Sequence, residues 1–349
     1  ADRVQAFVRS RTHLNRRQFY HKIWRDCIGI LRDKRRVAIA GGGIAGTHLA
    51  LALSRHGCAV TLFEPAAVGG VRIPVMHACQ TPKERSGLWR AASEYSRGWY
   101  DALIERGFPI VKSESSFGRF FTMASRTHLR GLYALLSEQK IELRRQSFQP
   151  ENTDMFDFYF VATGAATALS GFRHLMPATQ LIRGYETYAS HIHSHEPAAA
   201  EALLELPRRL ALLHRREATA QAAYAEAREV IAAGRYALFG DHRIVTRDRL
   251  PVVGFAPAPI YGDYNEFRWH LKDHNLVEES VAYASPFLFQ GMGYHAMTYA
   301  PYLAEQVALW LTGESGADEN MICALTPARF LPRSGAQDVP APNAAGRGN

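Results

Sequence analysis

Residues 36–46 read Arg36-Val37-Ala38-Ile39-Ala40-Gly41-Gly42-Gly43-Ile44-Ala45-Gly46. A short apolar run enters three glycines, and residues 44–56 continue at helical spacing, so the stretch predicts strand, tight turn and helix in succession. Gly41, Gly43 and Gly46 stand at the Gly-x-Gly-x-x-Gly spacing, which needs each glycine for a different reason. Gly41 makes the turn, Gly43 leaves backbone amides open to a pyrophosphate, and Gly46 lets the helix lie close against the strand. Ile44 and Ala45 open the helix, whose first-turn N–H groups and positive dipole end favour phosphate. Residues 58–63 read as a second strand ending at Glu64, a carboxylate placed to accept ribose hydroxyls. The expectation is an α/β fold with a Rossmann-type dinucleotide-binding domain.

Working outward, residues 83–106 carry Leu88, Ala92, Tyr95, Trp99 and Leu103 at helical spacing. Residues 108–123 read as two short strands, 127–139 as a helix, and 156–162 as a strand running into Thr163-Gly164. Residues 198–233, rich in Ala, Glu, Arg and Leu, read as mostly helical with a break at Pro207. Residues 236–254 return to strand and turn, 287–293 form a strand ending in glycines, and 297–311 a helix. The tail, 334–349, has a disordered composition. The expected organisation is a basic arm (1–36), a first cofactor-binding part (37–170), a reduced, partly helical second domain (171–236), a part completing the cofactor site (237–333), and the tail.

Of the 349 residues, 47% are hydrophobic and 21% charged, ordinary for a globular protein. No apolar run approaches the length that spans a bilayer, so no membrane is expected as a partner. The four cysteines form no Cys-x-x-Cys pair, which reads as reduced thiols in an intracellular reducing compartment, a mitochondrial matrix or a bacterial cytoplasm. Residues 1–36 hold eleven Lys or Arg against three acids, which is the whole net charge of +8. Phe7, Phe19, Tyr20 and Trp24 are interleaved. Such an arm suits a phosphate-rich partner, RNA (tRNA or rRNA) or a ribonucleoprotein particle, by counterion release and stacking. It equally resembles a solubilising extension or an organellar targeting segment.

The glycine motif alone does not separate NAD from FAD. Three later segments do, by resemblance. Val68-Gly69-Gly70-Val71-Arg72-Ile73-Pro74, Thr246-Arg247-Asp248-Arg249-Leu250-Pro251-Val252-Val253-Gly254, and Gly291-Met292-Gly293-Tyr294-His295 leading to Ala300-Pro301 and Ala304-Glu305 resemble D-amino-acid-oxidase-like FAD-dependent oxidoreductases. Within that class the chain looks most like the C-terminal oxidoreductase domain of the bifunctional tRNA 5-methylaminomethyl-2-thiouridine biosynthesis protein. Leu325-Thr326-Pro327-Ala328-Arg329 fits the family's closing Leu-x-Pro-x-Arg. The resemblance implies FAD as cofactor. It implies a flavin-side loop at Gly70 and Arg72, a contact at Gly164, and a flavin-facing turn at Gly291, Met292 and Gly293, with Tyr294 and His295 as candidate catalytic residues. It also implies oxidation of a C–N bond, with carboxymethylaminomethyl-uridine in tRNA as substrate.

The chain departs from the family in three places. Pro74 stands where the family has glycine, His295-Ala296 replaces Arg-Gly, and the material for a sheet roofing the flavin is reduced. A catalytically silent subunit of a ribonucleoprotein, such as a mitochondrial ribosome, is the alternative. His191, His193 and His195 alternate as on one face of a strand; without a further ligand beyond Glu196 they read as a surface or interface strand, and no metal is expected. Arg247 and Arg249 read as turn-forming residues or as a fork for a substrate carboxylate.

Overall fold

The computed structural model describes residues 29–32, 35–66, 75–79, 87–115, 118–149, 155–164, 179–189, 212–213, 236–246, 248–255 and 287–330. The 68–74 loop, Arg247, the 191–195 histidines, nearly all of 198–233 and the 334–349 tail lie outside them.

In chain order the elements are β1 Arg36–Ala40, α1 Ile44–Arg55, β2 Ala59–Phe63, β3 Val75–Ala78, α2 Gly87–Glu105, β4 Ile110–Ser115 and β5 Gly118–Ala124. They continue with α3 Ser125–Glu138, β6 Glu142–Arg144, β7 Phe158–Val161, β8 Thr179–Ala189, β9 Leu212–Leu213, β10 Tyr236–Thr246, β11 Val252–Phe255, β12 Phe287–Gln290, α4 Ala296–Thr312 and α5 Glu319–Leu325. The main sheet runs β11-β12-β7-β1-β2-β6. All its strands are parallel except β11, which pairs antiparallel with β12 at the edge. Read over the parallel strands in chain order, this is 3-2-1-4-5, so the order reverses at β1 and ligands belong at the carboxyl end of that strand.

Alternation along the strands sorts the core into two layers. Val37, Ile39, Leu62, Phe158, Phe160, Phe287 and Phe289 face α1 and α4 in one large apolar cluster. Ala38, Ala40 and Phe63 pack with Phe148 on the other face, beside Val161, Leu288 and Val252. Helix α4 is buried on nearly all sides, as its predominantly apolar sequence requires, and its one carboxylate, Glu305, pairs with Arg55 at 2.6 Å. Asp318 caps α5 by accepting the Met321 N–H at 2.9 Å.

Two smaller antiparallel sheets flank this layer, β3-β5-β4 and β10-β8-β9. In the second, β8 and β10 pair over eleven residues, from Thr179↔Thr246 to Ala189↔Tyr236. Leu212–Leu213, expected in a helix, is instead a strand against Gly184 and Tyr185. Two apolar residues satisfy either period, and a sheet edge beside β8 gives their backbone groups partners. The described residues between 171 and 236 are therefore strand.

The end of the basic segment is part of the fold. The Gly29 and Leu31 N–H groups donate to the Trp310 and Leu311 carbonyls at 3.1 and 2.8 Å, and Leu31 is buried in the large cluster. The Trp310 carbonyl also accepts the N–H of Gly313, the C-cap of α4, at 3.2 Å, so the segment adds to the capping of that helix end.

Candidate functional site: a dinucleotide cradle at the strand ends

Four strand ends converge on one edge of the sheet: Gly41–Gly43 after β1, Glu64 after β2, Ala162–Gly164 after β7 and Gly291–Gly293 after β12. Gly41 has φ +105°, and a Cβ there would lie 2.7 Å from the Ala162 carbonyl oxygen. A Cβ on Gly46 would lie 1.8 Å from the Gly41 carbonyl oxygen, so α1 can meet the turn only through glycine. At Gly43 a Cβ would meet nothing within 4 Å. The backbone there opens outward, as approach by a phosphate requires. Helix α1 has neither a side-chain cap at Gly43 nor an acid in its first turn, so the N–H groups around Ile44, Ala45 and Gly46 keep their positive character for an anion.

Glu64 is buried, and both its oxygens are engaged by backbone: Gly42 N–H donates to Oε2 at 2.8 Å and Ala66 N–H to Oε1 at 2.9 Å. This fixes the carboxylate beside the glycine turn, and each oxygen retains a lone-pair direction for a ribose hydroxyl. Gly164, with φ +54° and open space at its Cβ position, completes the rim beyond β7.

Three residues of the cradle carry no local sequence signal. Tyr133 on α3 donates its hydroxyl to the Gly42 carbonyl at 2.7 Å, and Thr47 donates to the same oxygen at 3.0 Å. Arg145 donates to the Ala66 carbonyl at 2.6 Å with its guanidinium 5.3 Å from the Tyr133 ring centre. Gly42, the middle glycine, is explained by the same group: a Cβ there would lie 2.7 Å from both the Glu64 Cβ and the Tyr133 hydroxyl. Tyr133 is 91 residues from Gly42, beyond any periodicity argument.

At the other end of the cradle, Gly291 (φ +74°) and Gly293 (φ +55°) turn the chain from β12 into α4, with Met292 between them. The His295 N–H donates to the Met292 carbonyl at 3.2 Å, and Tyr294 lies in the same 3-10 turn. The His295 ring stands edge-on to Trp89 at 4.4 Å and to Tyr299 at 6.0 Å. Burial lowers its pKa, which favours a neutral imidazole. Helix α4 has no side-chain cap at His295. Gly70 and Arg72 lie outside the described residues.

Asp248 and Arg329 join the second and last resemblance segments. Arg329 Nε and Nη2 reach the two Asp248 oxygens at 2.6 and 3.2 Å, and Nη2 also donates to the Leu250 carbonyl at 3.0 Å. Thr246 donates to the same carbonyl at 2.6 Å. Arg249 is exposed at φ +61°, in the turn itself. Among the described residues no group of three His, Cys, Asp or Glu could hold a metal, and no helix is long and apolar enough to cross a membrane.

The arrangement suits the adenosine diphosphate half of a dinucleotide at Gly41–Gly46 and Glu64, with an electron-poor ring against Gly291–Gly293. No family model and no curated protein matches the sequence. Solved structures do match in fold. Glycine oxidase from Geobacillus kaustophilus aligns with a TM-score of 0.51 at 14% identity, over 81% of this chain and 96% of that one. Iminodiacetate oxidase from Chelativorans sp. BNC1 aligns with a TM-score of 0.50 at 14% identity, over the same shares. At these identities the likeness speaks for the fold, which is α/β and D-amino-acid-oxidase-like, with a Rossmann-type sheet carrying the cradle.

Proposed function

We propose that the protein is an FAD-dependent oxidoreductase acting on the C–N bond of an amine. The observation that carries this is the convergence of an open Gly43 backbone, a Glu64 carboxylate held by two backbone N–H groups, and the uncapped start of α4 at one sheet edge. Bound there, FAD would supply a two-electron acceptor for the hydride on the carbon beside the amine nitrogen, and water would hydrolyse the resulting imine. The chain's own part is to bind and orient. Gly41–Gly46 and the first turn of α1 receive the pyrophosphate, and Glu64 receives the ribose. The first turn of α4 presents N–H groups where negative charge collects on reduction. His295, whose burial against Trp89 and Tyr299 favours the neutral imidazole, adds no positive charge to oppose the iminium that hydride transfer leaves.

Both fold neighbours are named as oxidases, one of glycine and one of iminodiacetate. Iminodiacetate is an N-substituted glycine, and so is the carboxymethylamino group of a carboxymethylaminomethyl-uridine. That shared chemistry supports the modified wobble uridine of tRNA as substrate. The test is an absorbance spectrum of the purified protein followed by anaerobic titration, first with iminodiacetate and then with tRNA carrying the modified uridine. Bleaching with the tRNA is expected. Bleaching with iminodiacetate alone removes the tRNA substrate and keeps the oxidase, and a flavin that bleaches with neither removes the oxidase.

One observation favours the second reading, a subunit of a ribonucleoprotein particle such as a ribosome, held through RNA. The end of the +8 segment, at Gly29 and Leu31, is bonded to the Trp310 and Leu311 carbonyls, at the far end of α4 from Gly291–Gly293. Seventeen helical residues separate the two ends by about 25 Å. Co-sedimentation with a ribosomal particle through high salt supports this reading, and turnover as a free monomer removes it.

A further inference from the structure

Pro301 lies in the second turn of α4 and has no N–H to give the Met297 carbonyl, four residues back. Its ring also crowds that carbonyl. The Met297 carbonyl and the neighbouring Thr298 carbonyl are buried, and both have partners from α2. The Tyr100 hydroxyl donates to the Met297 carbonyl at 2.6 Å, and the Ser96 hydroxyl to the Thr298 carbonyl at 2.7 Å. The Thr298 hydroxyl in turn accepts the Cys79 N–H at 2.8 Å, where Cys79 ends β3 at φ +57°. Ser96, Tyr100 and Cys79 are fully buried and Thr298 nearly so. The first turn of α4 thus lacks one bond to the rest of its helix at Pro301 and is held from the side by α2 and β3.

We propose that Tyr100 and Ser96 are positioning residues for the flavin end of the site. By giving the Met297 carbonyl, left without an N–H by Pro301, and the neighbouring Thr298 carbonyl partners from α2, they set the direction in which the first turn of α4 and the Gly291–Gly293 backbone point, and so tune how strongly a reduced flavin is stabilised. This rests on the FAD reading above. Neither residue touches the cradle; both act through the Met297 and Thr298 carbonyls. A helix without Pro301 would give the Met297 carbonyl an N–H of its own, and the Tyr100 hydroxyl would be one of two donors there.

Two measurements separate the parts of the argument. In flavin-free protein, thermal unfolding is followed for Tyr100→Phe, Pro301→Ala and the double variant. Tyr100→Phe lowers the midpoint, and Pro301→Ala, by returning an N–H to the Met297 carbonyl, recovers at least half of the loss. Simple additivity of the two changes overturns the compensation. In flavin-loaded protein, the midpoint potential is read by dye equilibration for Tyr100→Phe and for the milder Ser96→Ala. The reduction equilibrium falls about tenfold in Tyr100→Phe, about 30 mV for a two-electron couple, and Ser96→Ala moves the same way. A potential unchanged in both variants reduces the two residues to a structural staple and overturns the proposal. Protein that takes up no flavin removes the FAD reading and the proposal with it, while the flavin-free cycle still reports on Pro301.

Discussion

Asp248 and Arg329 are 81 residues apart, and neither announces the other. Asp248 sits in a turn rich in arginine, yet its partner is the arginine at the end of the described chain. Burial pushes its carboxyl up in pKa, and the hydrogen bonds and charge of Arg329 outweigh that and hold it low. The Asp248 side chain is 36% exposed and that of Arg329 10%, so the pair is screened on one side only. Asp248→Ala leaves a largely buried guanidinium without its carboxylate, and we expect a loss of about 2 kcal/mol in denaturant unfolding, below the value for a fully buried pair. A double-mutant cycle with Arg329→Met should show coupling; independent effects would mean that the ion pair does not tie the turn to the chain end. The glycine turn is more severe. Gly46→Ala places a carbon inside the Gly41 carbonyl contact and forces α1 off the strand end. We expect a loss of about 3 kcal/mol together with flavin retention, and unchanged stability would contradict the packing.

At the scale of elements, α1, α2 and α3 meet around two buried histidines. His48 Nδ1 donates to the Ile44 carbonyl at 2.8 Å, which leaves Nε2 as an acceptor, and its ring stands edge-on to Trp99. That Nε2 and both ring nitrogens of His128 are buried without a hydrogen-bond partner among the described residues. Burial lowers the His48 pKa to about 4 and the His128 pKa to about 3, each histidine surrounded by apolar helix faces. An unfolded histidine titrates near 6.5. Between these values the unfolded chain binds more protons, so the contribution of both residues is complete above about pH 6.5 and is lost as pH falls toward 4 and 3. Unfolding free energy measured from pH 7 to 4 should therefore decline, and His128→Phe should flatten part of the slope. An equal slope in the variant would assign the acid sensitivity elsewhere.

For the whole molecule, the separation of the two ends of α4 gives a prediction about the basic segment. Deleting residues 1–28 keeps Leu31 in the core and its backbone bonds to α4, so stability and flavin uptake should be unchanged. RNA affinity should fall, and the salt dependence of binding should lose about 0.9 in log–log slope per phosphate contact removed. Extending the deletion through residue 32 also removes Leu31 and exposes the end of α4, for which a loss of about 2–4 kcal/mol is expected. Equal RNA affinity with and without residues 1–28 would remove RNA as the partner of this segment.

The eleven residues from Arg36 to Gly46 already contained the strand, the turn and the start of the helix, because those depend on neighbours in the chain and on glycine's missing side chain. The position of Glu64 followed in the same way, from where a strand ends, and those of Gly291 and Gly293 from the resemblance of their segment to a known family. Leu212–Leu213 shows the limit: two apolar residues fit a helix or a strand, and only the β8 edge decided. Tyr133 on the Gly42 carbonyl, Arg329 on Asp248, Tyr100 and Ser96 under Pro301, and Leu31 at the end of α4 were decided by tertiary structure alone. Each is a polar or apolar group brought to its partner by strands and helices far apart in sequence, and a hydrogen bond across such a distance leaves no periodicity to read.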